Sequence, residues 1–412
     1  MDKTTLKQIL KEQRIIFEKE IEIVERTYPK NCLKNNKIIV ITGIRRCGKS
    51  TLLKQIAKNY KNYSYFNFED ERLLDFNHED FNTLLEAILE EQKPTTLFFD
   101  EIQNIKGWEK FARRLFTEGY KIFVTGSNAK LLSSEIATAL TGRNIKIVLY
   151  PFSFLEYLNY KKFKISNNYT TKEKSEISLH LEEYLKYGGF PEIAITKDQE
   201  ELNQIYQDII IKDLITRFAI RDTKDFRELA LYLISNATKE INFNRLSKML
   251  NLKSATKVKN YINYFTEAYL MFLIYQYNYS IKKQIMNERK IYAIDTGIIN
   301  SLGFSFSKNE GKIIENSVMI ELMRRNKEIY FYKGKKECDF IIKDGIKITE
   351  AIQVSLSLQD KETKQREIEG LIETMKNFKL NTGTLITKYY EEKINIKNKI
   401  INIVPLWKWL TN

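Results

Sequence analysis

Gly43-Ile-Arg-Arg-Cys-Gly48-Lys49-Ser50 is the stretch whose residue types and spacing point most directly to a chemistry. It reads G-x-x-x-x-G-K-[ST], preceded by the apolar run KIIVIT and followed by the helical pattern TLLKQIAKNY. A loop of this kind curls around phosphate: glycines let backbone N–H groups face the ligand, and the next helix adds the positive end of its dipole. Lys49 is expected to reach β- and γ-phosphate oxygens, and the Ser50 hydroxyl to take a place on Mg2+. Gly43, Gly48, Lys49, Ser50 and Thr51 are therefore the expected ATP-binding set; Arg46 is counted with them, although spacing leaves its role open between a nucleotide contact and a pair with an acid across the subunit. Fifty residues beyond Ser50, the run TTLFFD ends in Asp100 and is followed by Glu101. Asp100 is expected to hold the magnesium ion through water, and Glu101 to polarise an attacking water. The run KIFVTG leads into Ser127 and Asn128, where a γ-phosphate sensor would sit; a plain loop turn is the other reading.

A second constellation lies in KKECDFIIKDGIKITEAIQVSLS, Lys335 to Ser357. It reads as two strands around an Asp-Gly turn, with Asp339 on the first and Glu350 and Gln353 on the second. Carboxylates on neighbouring strands can hold a catalytic metal, and Glu315 on the preceding helix could approach Asp339. Because side chains alternate along a strand, Glu350 and Gln353 point to opposite faces unless a bulge intervenes.

The elements that must position these groups follow from periodicity. Residues 2–28 read as an amphipathic helix ending at Pro29. From Lys37 to Tyr150, short apolar strands (KIIVIT, YSYFNF, TTLFFD, KIFVTG, NIKIVLY) alternate with helices, which predicts a parallel sheet covered on both faces. A polar stretch from Lys161 reads as a linker. Helices dominate to about Met271, and Asp213 and Arg217 are spaced as a helix pair. Residues 226–294 predict a winged helix-turn-helix. The start of its third helix would carry Lys253, Ser254, Thr256, Lys257 and Asn260 as DNA contacts, or as solvated residues of an assembly module. The remainder predicts a mixed α/β domain.

Composition bounds the function classes. The 412-residue chain is too long for one core, and two or three domains are expected. Two histidines argue against histidine-rich metal or catalytic sites. Three cysteines without metal or pairing spacing fit a reducing cytoplasm. No apolar run reaches the ~18 residues of a membrane span, and the charged N-terminus lacks a signal-peptide core. A net charge of +14 suits a polyanion partner, or simply reflects the Lys/Ile/Asn bias of the whole chain.

In this order, the motifs resemble the AAA+ ATPases. The finer resemblance is to a prokaryotic family carrying GIRRxGKST, FFDEIQ, TGSN, TGR and GGFPE, all present here. It implies a P-loop core with N-terminal helix (1–165), a helical lid (166–202), a winged helix (203–297) and a restriction-endonuclease-like domain (298–412). It also implies that Arg143 of TGR is an arginine finger completing a neighbouring subunit's site; a helix-capping arginine is the alternative. The nuclease-like motif is D…(D/E)-x-K. Asp339 matches its first acid, whereas Gln353 stands for the second acid and Ser355 for the lysine, leaving Glu315, Asp339 and Gln353 as a residual site. The expectation is a cytoplasmic, homo-oligomeric Mg2+-dependent ATP hydrolase acting on DNA. An ATP-regulated nuclease and a nucleotide switch that binds protein are the alternatives.

Overall fold

The computed structural model describes all residues except 21–22, 128–139, 141, 167 and 304–309. The chain forms two compact units, Met1–Tyr150 and Pro151–Asn412.

In the first unit, β1 (Ile38–Thr42), β2 (Tyr63–Asn67), β3 (Thr96–Asp100), β4 (Lys121–Gly126) and β5 (Asn144–Val148) make one sheet in the order β2-β3-β4-β1-β5. Every neighbouring pair is parallel. These are the five apolar runs of the sequence. β1 and β3 are buried along their whole length, so their side chains need no polar alternation. The helix α1 (Lys3–Glu18) packs Leu6, Ile9 and Leu10 into the same core as Leu84 and Ile88 of α3 (Phe81–Glu91). Truncating one such leucine to alanine typically costs about 2–5 kcal/mol.

α1 stops at Lys19, well short of the expected Pro29. Beyond it the pattern EIEIVER alternates β-branched and charged residues, a period-two pattern that does not continue a helical face. α2 (Lys49–Ala57) follows the phosphate-type loop, and the ends of β1, β3 and β4 meet beside it. Ligands of open parallel sheets collect at these carboxyl ends.

In the second unit, the helix predicted through Asp213 changes character. Gln199–Asp208 is α-helical and Ile209–Thr216 is π-helical, so Asp213 and Arg217 no longer have ordinary α-helical spacing. The helices Thr223–Ser235, Phe243–Met249 and Ala255–Glu267 follow. They lead to β7 (Met271–Gln276) and β8 (Arg289–Ala293), with the short β6 (Glu240–Ile241) pairing β8. The C-terminal segment supplies the helix Glu310–Arg324, then β9 (Glu328–Lys333), β10 (Glu337–Asp344), β11 (Lys347–Ser355) and the helix Lys361–Asn377. β12 (Thr382–Thr387), β13 (Glu392–Ile396) and β14 (Lys399–Pro405) complete it.

Among the described residues, all nine strands from β6 onward belong to one sheet, ordered β13-β14-β12-β11-β10-β9-β7-β8-β6. The seam between the expected third and fourth domains is the parallel pair β7–β9, in register at Tyr275↔Tyr330 and Gln276↔Phe331. GGFPE is a packed corner of this unit. Gly188 has φ +82°, a Cβ on it would lie 2.0 Å from Asp295 Oδ1, and the Gly189 N–H donates to Asp295 Oδ2 at 2.7 Å. Among the described residues, no helix is long and apolar enough to cross a membrane.

Candidate functional site

The phosphate-type loop is shaped by three residues in left-handed backbone: Gly43 (φ +154°), Arg46 (φ +65°) and Gly48 (φ +94°). At Gly43 the requirement for glycine is steric, because a Cβ would stand 2.1 Å from the Leu149 carbonyl oxygen. Left-handed residues interspersed in a tight loop turn successive N–H groups inward, which makes an anion-binding hollow. Lys49, only 5% exposed, lies across this hollow. Its ammonium is 3.4 Å from the Gly43 carbonyl, 3.3 Å from that of Ile44 and 3.3 Å from Glu101 Oε1.

Asp100 ends β3 fully buried. Tyr65 donates a hydrogen bond to its Oδ2 at 2.9 Å, Thr125 donates to Oδ1, and the Ser50 hydroxyl bonds the same carboxyl group. Burial, reinforced by the charge of Glu101, raises the Asp100 pKa against these hydroxyl contacts. Glu101 sits in left-handed backbone (φ +50°), and its N–H donates to Thr125 Oγ1 at 2.9 Å. Burial pushes the Glu101 pKa up, but the Lys49 charge and a Gln103 hydrogen bond outweigh it, so the side chain is held below the usual carboxylate range. Gln103 Nε2 donates to Glu101 Oε2 at 2.5 Å and reaches Ser127 Oγ at 3.5 Å. The exposed Ser50 hydroxyl beside the buried Asp100 carboxylate, next to an inward-turned amide loop, is a donor set suited to a hard cation carrying phosphate. The residues present therefore fit Mg2+ and a nucleotide.

Two neighbours of the loop were not legible in the sequence as site residues. Arg26 is 3% exposed and donates to the Cys47 carbonyl and the Tyr150 carbonyl, each at 2.6 Å. Its backbone is paired with the Gln55 amide of α2 in both directions. Gln103, visible only as the last letter of FFDEIQ, fixes the Glu101 carboxylate. Arg45, within the loop, pairs with Glu69 at 3.0 Å. Arg46 forms a corner of the loop, and Thr51 lies in the first turn of α2. Asn128 lies outside the described residues. Arg143 is half-buried in the turn before β5, and its carbonyl accepts the Ile38 N–H at the start of β1. Arg143 thus stands at the opposite end of β1 from Gly43, about 15 Å away at strand rise.

The second constellation is assembled in the C-terminal unit with a member that sequence reasoning missed. Lys290 of β8 extends over the Phe331 ring, and its ammonium lies 3.1 Å from Glu315 Oε1, 2.6 Å from Glu337 Oε1 and 3.1 Å from Asp339 Oδ1. Tyr292 donates to Glu315 Oε1 at 2.8 Å, and the Val354 N–H donates to Asp339 Oδ2 at 3.0 Å. Burial, then the neighbouring Asp339 charge, pushes the Glu315 pKa up to about 7. Burial also raises Asp339. Gln353 accepts the Asp339 N–H at 3.1 Å and donates to Glu367 at 2.6 Å. Glu350 bonds Lys327 at 2.8 Å outside the cluster, and the Ser355 hydroxyl bonds the Ser357 carbonyl. Among the described residues, no group of three or more His, Cys, Asp or Glu is arranged to hold a metal ion. The Lys290 ammonium stands among these acids, where the nuclease resemblance implies a metal, so the residues present do not fit one.

At the start of the helix Ala255–Glu267, Lys253 and Asn260 are exposed. Lys257 instead turns back to Asp222 at 2.7 Å and Asp225 at 3.0 Å.

Residues 35–158 match a family described as an AAA domain, and residues 178–309 match a domain of unknown function. "Uncharacterized protein MJ1544" of Methanocaldococcus jannaschii is 41% identical over 395 residues, covering 91% of this chain and 88% of its own length. An "Uncharacterized protein" of Haemophilus influenzae is 31% identical, covering 90% and 94%. Among solved structures, "Replication initiator DnaA bound to AMPPCP and single-stranded DNA" matches 58% of this chain and 86% of its own. Its identity is 15% and its TM-score 0.30, too distant to carry an argument.

Proposed function

The chain belongs to the family that includes MJ1544 of Methanocaldococcus jannaschii and carries an AAA domain, and from that premise we propose that it is a Mg2+-dependent ATP hydrolase working as a DNA-associated oligomer. The observation that carries this reading is the closed circuit Lys49–Glu101–Gln103 beside the bonded pair Asp100–Ser50. Bound magnesium would supply positive charge at the β- and γ-phosphate oxygens, held by Ser50 and Asp100. Lys49 turns from Glu101 to the phosphates when nucleotide enters, which releases a carboxylate already ionised and aimed by Gln103. Glu101 then accepts a proton from the attacking water. Arg143, too far from its own loop, serves the loop of a neighbouring subunit.

The DNA part of the reading rests on the +14 charge and on exposed Lys253 and Asn260, with Lys257 already neutralised by two aspartates. The cytoplasm is the proposed location. Neither alternative, a nuclease or a protein-binding switch without DNA, is favoured by a particular observation, and Lys290 opposes the first.

Measuring ATP turnover together with binding of a fluorescent ATP analogue tests the proposal. Lys49→Ala should lose binding. Glu101→Gln should bind normally and hydrolyse ~10²-fold more slowly or worse. Normal turnover by Glu101→Gln would remove the proposed base.

A further inference from the structure

Resting on the Mg2+–ATP reading of the first site, we propose that Tyr65, braced by Phe17 of α1, is a positioning residue that aims the Asp100 carboxylate, so that α1 is a working part of the nucleotide site. The need for such a residue follows from the carboxylate itself. The terminal torsion of an aspartate is broad and roughly two-fold, so the group is aimed only when its oxygens are held. Asp100 is held at both. Tyr65 donates to Oδ2 at 2.9 Å. Thr125, whose own oxygen accepts the Glu101 N–H at 2.9 Å, donates to Oδ1. Both contacts leave lone pairs on the same carboxylate for the Ser50 hydroxyl, beside which the ion would sit.

Tyr65 is itself fixed from outside its strand. Its ring stacks on Phe17, with centroids 3.9 Å apart and planes 14° from parallel, and both rings are buried. Such a pair sets ring orientation as well as burying area. Phe17 lies in the last turn of α1, and Gln13, one turn earlier on the same face, clamps the end of β2. Its Nε2 donates to the Asn67 carbonyl at 3.0 Å, and its Oε1 accepts the Asn67 N–H at 2.8 Å. The helix therefore cannot slide along β2, carrying Phe17 off Tyr65, without losing a two-ended contact.

The same residues border the phosphate-type loop. Gln13, Phe17, Tyr65 and Asn67 line a cavity of about 480 Å³ together with Ser50 and Thr51. Magnesium gives up its waters reluctantly, and this space beside Ser50 has room for them. The brace thus stands next to the hydroxyl expected on the ion.

The test measures equilibrium binding of the fluorescent ATP analogue by the full chain, in EDTA and across a series of free Mg2+ concentrations. Tyr65→Phe keeps the ring and its stack and removes only the donor. It should bind the analogue like wild type in EDTA, yet need ~10-fold more Mg2+ for half of the metal-dependent gain in affinity. Phe17→Leu keeps the polar contacts of Asp100 and should shift the Mg2+ requirement in the same direction, by less. Tyr63→Phe, on the same strand with its hydroxyl on Glu18, is the control and should leave the requirement unchanged. An unchanged Mg2+ requirement in Tyr65→Phe would overturn the proposal. So would an equal loss of binding in EDTA and in Mg2+, which marks general damage to the fold. If Tyr65→Phe does not fold, Phe17→Leu decides on the same two criteria. A wild type whose binding ignores Mg2+ would instead defeat the magnesium reading of the site, and the role of Tyr65 with it.

Discussion

At the scale of single residues, the ATP site is a set of charges each kept in check by a named neighbour. Glu101 remains ionised in a buried place because Lys49 faces it, and Gln103 holds its second oxygen. Gln103 touches neither the loop nor the Asp100–Ser50 pair in these contacts, so it is a positioning residue. Gln103→Ala should lower kcat ~10–10²-fold while leaving the affinity for the ATP analogue unchanged. It should also shift the acid limb of the pH–rate profile upward, since Glu101 would lose a contact that lowers its pKa. An unchanged profile would reduce Gln103 to a packing residue. Lys49, Ser50, Asp100 and Glu101 were legible because their chemistry is local in sequence. Arg26 and Lys290 were not, because nothing near them marks them: Lys290 meets Asp339 across 49 residues, and Arg26 reaches Tyr150 across 124. Such partners become visible only once the chain has folded.

At the scale of elements, the strands of the first unit were readable because a doubly covered parallel sheet requires unbroken apolar runs. β13 and β14 were missed for the converse reason. Their sequence, EKINIKNKIINIVP, is dense in Lys and Asn, and β13 is an edge strand that buries little. Length of the first helix was misread because apolar content continued after its period had changed.

The second unit has an expected pH response of its own. Burial raises Asp295 to about 6 and Glu315 to about 7, both above their ordinary carboxylate values. The folded form thus binds protons more tightly than the unfolded chain, and its stability falls as pH rises through that range. The transition involving this unit should melt higher near pH ~5 than near pH ~8. Glu315→Gln should flatten the slope. A slope unchanged in Glu315→Gln would show that Glu315 does not titrate as its burial implies.

At the scale of the whole molecule, the position of Arg143 at the far end of β1 makes the proposed ATPase dependent on a second copy. Lys49→Ala and Arg143→Ala should each be nearly inactive alone. Mixed together, they should regain a measurable share of turnover, because a Lys49→Ala subunit still offers its arginine to an intact loop. Absence of any recovery in co-assembled mixtures would refute the trans assignment.

The joined sheet has a further consequence, for what happens when the backbone is cut. β7 and β8 are held to the C-terminal strands by the seam at Tyr275 and Gln276, by the Tyr277 N–H on the Phe331 carbonyl at 2.8 Å, and by the Lys290 side chain reaching across that seam. Severing the chain after Gly303 would break one covalent link and none of these. The two pieces should therefore stay together as a complementing pair, separable by denaturant and not by dilution: fragments in sequence, one body in behaviour.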